Sequence, residues 1–189
     1  MTGKNIAEGR LTQQEHDWHC ERYVDHWITR IEQRSTRLAR QRRQRYRNML
    51  GQFQCSRSQS VRLLDLGVGW GDLTKEIFNV FPKAQVLGVD FSAAMLKRAD
   101  ETLSPWKSQV SLHRVDLTNM NSLTDLGQFD GIVSASTLHH LTAAELDVLL
   151  SQIVQHLKSD GCFINCDVFF VPNEFPRECC GDLRRLQDV

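Results

Sequence analysis

No apolar run in this chain approaches the roughly 20 residues that a membrane-spanning helix needs. The N-terminus, "MTGKNIAEGRLTQQEHDWHCERY", is polar and has no apolar core of the kind a secretory leader carries, so a cytoplasmic protein is the expectation. The six cysteines include no C-x-x-C pair, which argues against a disulfide framework or a zinc knuckle. His16, His19 and Cys20 share one helical face, but no fourth ligand follows at suitable spacing, so no metal site is expected. Proline is scarce, at four residues, and the first two, Pro82 and Pro105, fall where helical patterns stop. Between Gln33 and Leu64 there is no acidic residue at all, against nine arginines. Net charge is zero, yet the N-terminal third is basic and the remainder acidic.

What is present is a length of 189 residues and an ordinary apolar content, enough for one sizeable core. Two helical stretches open the chain, at about 12–32 and 33–52, with Ile28, Ile31, Leu38, Tyr46, Met49 and Phe53 near one face. Polar residues 51–60 read as a linker, dividing a basic N-terminal helical extension (1–60) from the main unit (61–189).

From Val61 the pattern alternates. "VRLLDL", "AQVLGVD", "QVSLHRVD", "FDGIVSAS" and "CFINCDVFF" are strand candidates. Helical patterns lie between several of them: "WGDLTKEIFNVF", "SAAMLKRADETL" with Ser92 as N-cap, and "TAAELDVLLSQIVQHLKSDG". The last has Thr142 and Glu145 spaced as a capping box, and Lys158 and Gly161 where a helix would close. Strands alternating with helices predict a parallel sheet with helices on both faces and a ligand crevice at the carboxyl ends of the strands.

The densest signal is "LLDLGVGWGDLT", residues 63–74, where Gly67, Gly69 and Gly71 alternate directly behind a strand. A glycine turn that opens a helix brings backbone amides against a nucleotide-like ligand. The spacing is not the dinucleotide GxGxxG, whose third glycine would fall on Asp72. Asp65 beside the turn would repel a pyrophosphate but tolerate an ammonium or sulfonium group. Asp90, closing the second strand, suits ribose hydroxyls in either kind of site. The pattern therefore favours a positively charged nucleoside over a dinucleotide.

In order and spacing, "LLDLGVGWGDLT", "VLGVDFSAAMLKRA", "VSLHRVDL", "FDGIVSASTLHHL" and "VQHLKSDGCFI" resemble the motif series of class I S-adenosylmethionine-dependent methyltransferases, over about Val61 to Val168. The resemblance implies an α/β fold, a three-layer Rossmann-like sandwich with a mostly parallel sheet in the order 3-2-1-4-5. It implies S-adenosylmethionine as cofactor and methyl transfer to a small-molecule acceptor. Asp65, Gly67, Gly69 and Gly71 would hold the methionine part, and Asp90 the ribose, with Phe91 and Met95 near the adenine. Asp116 would accept from the adenine amino group, Leu117 would back the ring, and Ser134 would lie beside the cofactor. His139 and His140 are the candidates for a base, and Trp18, Tyr23, His26 and Trp27 would form a lid over the cofactor or simply pack the N-terminal helix onto the sheet. Plainer roles stay open: Asp65 as a helix cap, Asp116 as a turn residue, Met95 as core.

Two further expectations concern partners. The arginine-rich helix would meet a phosphate-bearing partner, such as RNA, a carrier protein or an acidic metabolite, or would simply be a solvated face. About twenty residues follow Val168, too few for the helix and antiparallel strand pair that the resemblance implies, so the chain is either a truncated version or fragment, or has a five-stranded core. In the latter case the fifth strand would be an open edge, covered by the C-terminal tail or by a second copy in a homodimer. The rival readings are a cofactor-binding protein without catalysis, and a nicotinamide-dependent oxidoreductase, which the glycine spacing and Asp65 disfavour.

Overall fold

The computed structural model describes residues 17–33, 36–54, 59–119 and 121–167. His16, Arg34, Arg57, Cys179, Cys180 and the tail after Asp167, with its covering of the fifth strand, lie outside the described residues.

Five strands form one sheet: β1 Arg62–Leu66, β2 Gln85–Asp90, β3 Val110–Arg114, β4 Phe129–Ala135 and β5 Leu157–Cys166. Their order is β3-β2-β1-β4-β5, and every ladder is parallel. This is the expected Rossmann-like order, and it puts all strand carboxyl ends on one edge. The central strand, "RLLDL", is buried over its last four residues, including Asp65, because both of its faces are covered.

Helices α1 Glu21–Glu32, α2 Thr36–Leu50, α3 Asp72–Val80, α4 Ala93–Thr102 and α5 Ala143–His156 dress the sheet. On one face, Tyr46, Met49, Leu50 and Phe53 join Leu73, Ile77, Phe78 and Phe81 in a single cluster with Leu63, Val86 and Val133. Each fully buried leucine or isoleucine there contributes about 1.5–3 kcal/mol. Phe53 lies so close over β4 that a methyl group on Gly131 would stand 2.0 Å from its ring. The basic segment thus shares the core of the sheet through α2. Leu38 departs from the expected face and is 49% exposed.

Two arginines of α2 have internal work. Arg42 Nε pairs with Asp72 at 2.6 Å, and Arg47 Nε with the buried Glu76 at 2.9 Å. The two pairs step in the same direction along both helices, so α2 runs beside α3. Its first turns reach the level where α3 begins, at the carboxyl edge of the sheet.

On the opposite face, the described residues between β3 and β4 form turns, where no helix is expected, and Leu117, Leu123 and Leu126 pack with α5 against Leu64, Leu87 and Ile132. β3 stops at Arg114, and Asp116 lies beyond it. α5 also ends earlier than its sequence suggests, at His156, because Leu157 is drawn into register with Phe129 of β4. Lys158 then pairs with Asp130 at 2.7 Å instead of closing the helix.

The start of α5 is as expected: Thr142 accepts from the Glu145 N–H, and the Glu145 carboxylate accepts from the Thr142 N–H at 2.8 Å. Thr142→Ala is expected to cost about 1 kcal/mol, the usual value of an N-cap side chain. A urea denaturation midpoint that does not move would show the box to be idle.

Candidate functional site at the strand carboxyl edge

The turn after β1 is built by left-handed backbone. Gly67, Gly69 and Gly71 have φ of 73°, 52° and 89°, a region that costs side-chain-bearing residues energy. The three differ in surroundings. A methyl group on Gly67 would lie 2.2 Å from the Thr137 side chain, and one on Gly71 2.9 Å from Leu103. At Gly69 it would meet nothing within 4 Å among the described residues. Gly67 and Gly71 are thus also required by the chain's own packing, whereas no described residue fills the space at Gly69.

Two carboxylates flank that opening. Asp90 accepts from the Gly69 N–H and from the Ser92 N–H, each at 2.9 Å, so it braces the glycine turn against the start of α4. Burial pushes its carboxyl above the usual range, while these backbone donors pull the other way. Asp65 is fully buried, and its Oδ2 accepts from Thr74 Oγ1 at 2.6 Å. Its Oδ1 is buried without a hydrogen-bond partner. Burial raises the Asp65 carboxyl from 3.8 to about 7, against the Thr74 hydroxyl, which lowers it. The helix-cap role does not hold: the cap position of α3 is Gly71, and Thr74 lies within the helix.

The remaining candidates divide into rim and foundation. Phe91 is on the rim, 38% exposed, its ring edge-on to His19 at 5.2 Å. Asp116 is exposed and forms a turn, its Oδ1 accepting from the Thr118 N–H at 3.0 Å and from the Thr118 hydroxyl at 2.8 Å. Leu117 beside it is buried. Ser134 is fully buried, and its hydroxyl donates to the Leu66 carbonyl at 2.9 Å, tying β4 to β1 beneath the crevice. Met95 is buried with Val24 and Ala94, with Trp18 and Trp27 packed against them. That cluster is the seat of α1 on α4.

Several site-forming residues carry no motif of their own. Trp18 reaches across the crevice: its carbonyl accepts from the Ser92 hydroxyl, and its ring lies edge-on to His140 at 6.5 Å. The cover is strapped to α4 by Glu21 with Lys97 and Asp25 with Arg98, both at 2.7 Å. Trp70, from the glycine turn, meets Trp27 at 5.2 Å, and Arg42 lies over it at 5.4 Å. After β4, Thr137 sits against Gly67, while Asp167, just past β5, holds His139. Asp167 is not among the residues singled out from the sequence; a lone acid in the mostly apolar "CFINCDVFF" is the signal that could have found it.

Space above the Gly69 backbone, the Asp90 carboxylate that braces the turn and a buried unpartnered oxygen on Asp65 together fit a nucleoside that carries a positive charge. An orphaned buried carboxylate oxygen is costly, and a cationic group offers it a partner.

Comparison with known proteins agrees in kind. A family model described as a methyltransferase domain matches residues 63–161. A malonyl-[acyl-carrier protein] O-methyltransferase from Legionella pneumophila is 31% identical over 103 residues, covering 54% of this chain and 34% of that protein. Among solved structures, a phosphoethanolamine N-methyltransferase from Haemonchus contortus in complex with S-adenosyl-L-methionine is 28% identical. Its TM-score is 0.53, over 65% of this chain and 27% of the other. DesVI of Streptomyces venezuelae shares the fold at 20% identity and TM-score 0.61, over 82% and 60% of the two chains. The chain spans between about a third and two-fifths of the length of the first curated relatives it matches.

Proposed function

The chain belongs to the methyltransferase-domain family, and from that premise we propose that it transfers a methyl group from S-adenosylmethionine to a small-molecule acceptor. The cofactor supplies a methyl group made electrophilic by a sulfonium. What the chain supplies is position: a reacting pair held at about 3–3.5 Å in line gains most of its rate from orientation.

In this reading the open backbone at Gly69 carries the amino-acid part, with Gly67 and Gly71 holding the turn in shape. The buried Oδ1 of Asp65 receives the ammonium. Asp90 binds the ribose hydroxyls, Phe91 and Leu117 flank the adenine, and Asp116 accepts from its amino group. Met95 and Ser134 act from beneath, through the α4 seat and the β1–β4 tie. The observation that carries the reading is the fully buried, unpartnered Oδ1 of Asp65, on the strand that leads into the glycine turn.

Calorimetric titration with S-adenosylhomocysteine and with NADH tests it. The expected result is binding of the first only, weakened by about 1.5–3 kcal/mol in Asp90→Ala, the usual worth of a hydrogen bond to a charged group. Preference for NADH would overturn it, and an affinity untouched by Asp90→Ala would remove that residue from the site.

A second reading of the acceptor is favoured by α2. Arg37, Arg40, Arg43 and Arg45 are exposed, and the acids that α2 engages are taken by Arg42 and Arg47. Such a face suits an acceptor attached to a phosphate-bearing carrier, in keeping with the acyl-carrier substrate named for the Legionella relative. Among the described residues β5 is the last strand of the sheet, so a second copy of the chain pairing there is part of this proposal, with the C-terminal tail as the alternative cover.

A further inference from the structure

Beside the cofactor floor, the turn after β4 carries a second polar cluster. Asp167 Oδ1 stands 2.6 Å from His139 Nδ1, and Asp167 Oδ2 accepts from the backbone N–H groups of Thr137 at 2.9 Å and His139 at 3.2 Å. The Asp167 side chain is only 1% exposed, whereas the His139 side chain is 36% exposed. Backbone N–H groups can only donate, so one carboxylate oxygen is committed as an acceptor. A carboxylate that accepts through both oxygens selects the tautomer with the proton on the facing Nδ1, in which Nε2 keeps its lone pair.

The cluster lies at the mouth of the crevice. Thr137, two residues before His139, donates its hydroxyl to the Gly67 carbonyl at 3.3 Å. The His139 ring lies 4.0 Å from that of His140, which in turn faces Trp18. His139 is thus linked through Thr137 to the glycine turn and through His140 to the aromatic cover. Burying a carboxylate is expensive. Here the buried carboxylate pins one nitrogen of a half-open imidazole and leaves the other available, which is how a general base is oriented.

Resting on the methyl-transfer reading above, we propose that His139 is the general base of that reaction and Asp167 its positioning residue. The acceptor is then of the class whose nucleophile must shed a proton, a hydroxyl or a protonated amine. A carboxylate acceptor has a free lone pair and no proton to lose at neutral pH, so it would leave this device without a task. In the step, the acceptor's O–H or N–H proton passes to Nε2. The electron pair so released on oxygen or nitrogen forms the bond to the methyl carbon. The pair of the broken carbon–sulfur bond stays on sulfur, leaving a thioether. The imidazolium, facing Asp167, afterwards returns its proton to water.

Two measurements on the full chain test this. Long-range 1H–15N NMR, with His139 assigned by difference from His139→Gln, is expected to show a protonated Nδ1 and a bare Nε2, a bias that Asp167→Asn removes. Labelled-methyl transfer is run in parallel on phenols, amines and aliphatic carboxylates. Hydroxyl or amine acceptors should react, and both variants should lower kcat by about 100-fold, the usual share of a general base, leaving KM and S-adenosylhomocysteine affinity unchanged. A proton on Nε2 in the unaltered chain would overturn the assignment. So would carboxylates methylated at a rate indifferent to His139→Gln. Where no acceptor of the panel reacts, the tautomer decides. Failure of the unaltered chain to bind S-adenosylhomocysteine would instead remove the methyl-transfer reading, whatever the state of the imidazole.

Discussion

Gly67→Ala is expected to destabilise the protein by about 2–5 kcal/mol, whereas Gly69→Ala, two residues on, costs about 1–2 kcal/mol. Both pay for a left-handed backbone once a Cβ is present, about 1–2 kcal/mol. Only Gly67 also pays for overpacking, about 1–3 kcal/mol, because the new methyl group would lie 2.2 Å from Thr137. For a chain of this size the first change should lower Tm by on the order of 10 °C. The ligand response should run the other way. Gly69 faces space that no described residue fills, so its alanine variant folds but intrudes where the ligand lies, losing at least about tenfold in affinity, some 1.4 kcal/mol. Thermal melts and calorimetric titration with S-adenosylhomocysteine read the two effects separately. A second variant sharpens the stability arm: Thr137→Gly should be less harmful in the Gly67→Ala background than alone, since it removes the side chain the new methyl strikes. Equal melting of the two alanine variants would show that the close approach of Thr137 is not what requires glycine at 67.

That contrast marks how far the sequence could be read. Its spacing identified a turn that needs bare backbone, and local patterns found all five strands and the capping box at Thr142. Local signals failed where long-range contacts took over. The α5 pattern ran on to Lys158 and Gly161, but pairing of Leu157 with Phe129 stopped the helix at His156. The turns between β3 and β4 hold Leu117, Leu123 and Leu126 at spacings too irregular to announce that they cover a sheet face. Likewise the glycines looked equivalent in sequence, because the two side chains that distinguish them, Thr137 and Leu103, lie 70 and 32 residues from the positions they fill. His139 was visible as a candidate base, yet its partner Asp167, 28 residues away, joins it only because β4 and β5 are neighbours. The glycine turn and its strands are local in sequence and were legible. Around the crevice, His139 and the tryptophans were visible as candidates, but the contacts that hold them are tertiary and were not.

The second large effect concerns Asp65. Burial raises its carboxyl from 3.8 in an exposed chain to about 7 in the fold. A raised value means that the folded state holds the proton more tightly than the unfolded one. Its contribution is therefore fully favourable below about pH 4 and is lost as pH rises through about 7. The loss is on the order of 4 kcal/mol, from about 1.36 kcal/mol per pH unit over that interval. Asp65→Asn removes the titrating group and can still accept from Thr74, so it should raise stability at pH 8 by a few kcal/mol and change it little near pH 4. The ligand should reverse this balance. If the unpartnered Oδ1 receives an ammonium group, binding favours the ionised carboxylate, and the complex sheds the proton that the free protein carries. Titration with S-adenosylhomocysteine at pH 6, in two buffers of different ionisation enthalpy, should report release of close to one proton, fading by pH 8.5. Asp65→Asn should abolish the release and weaken binding by about 10–100-fold, the value of a charge-assisted hydrogen bond. Binding with no proton release at pH 6 would mean that the buried carboxylate faces no cation, and the positive charge of the ligand would have to be met elsewhere.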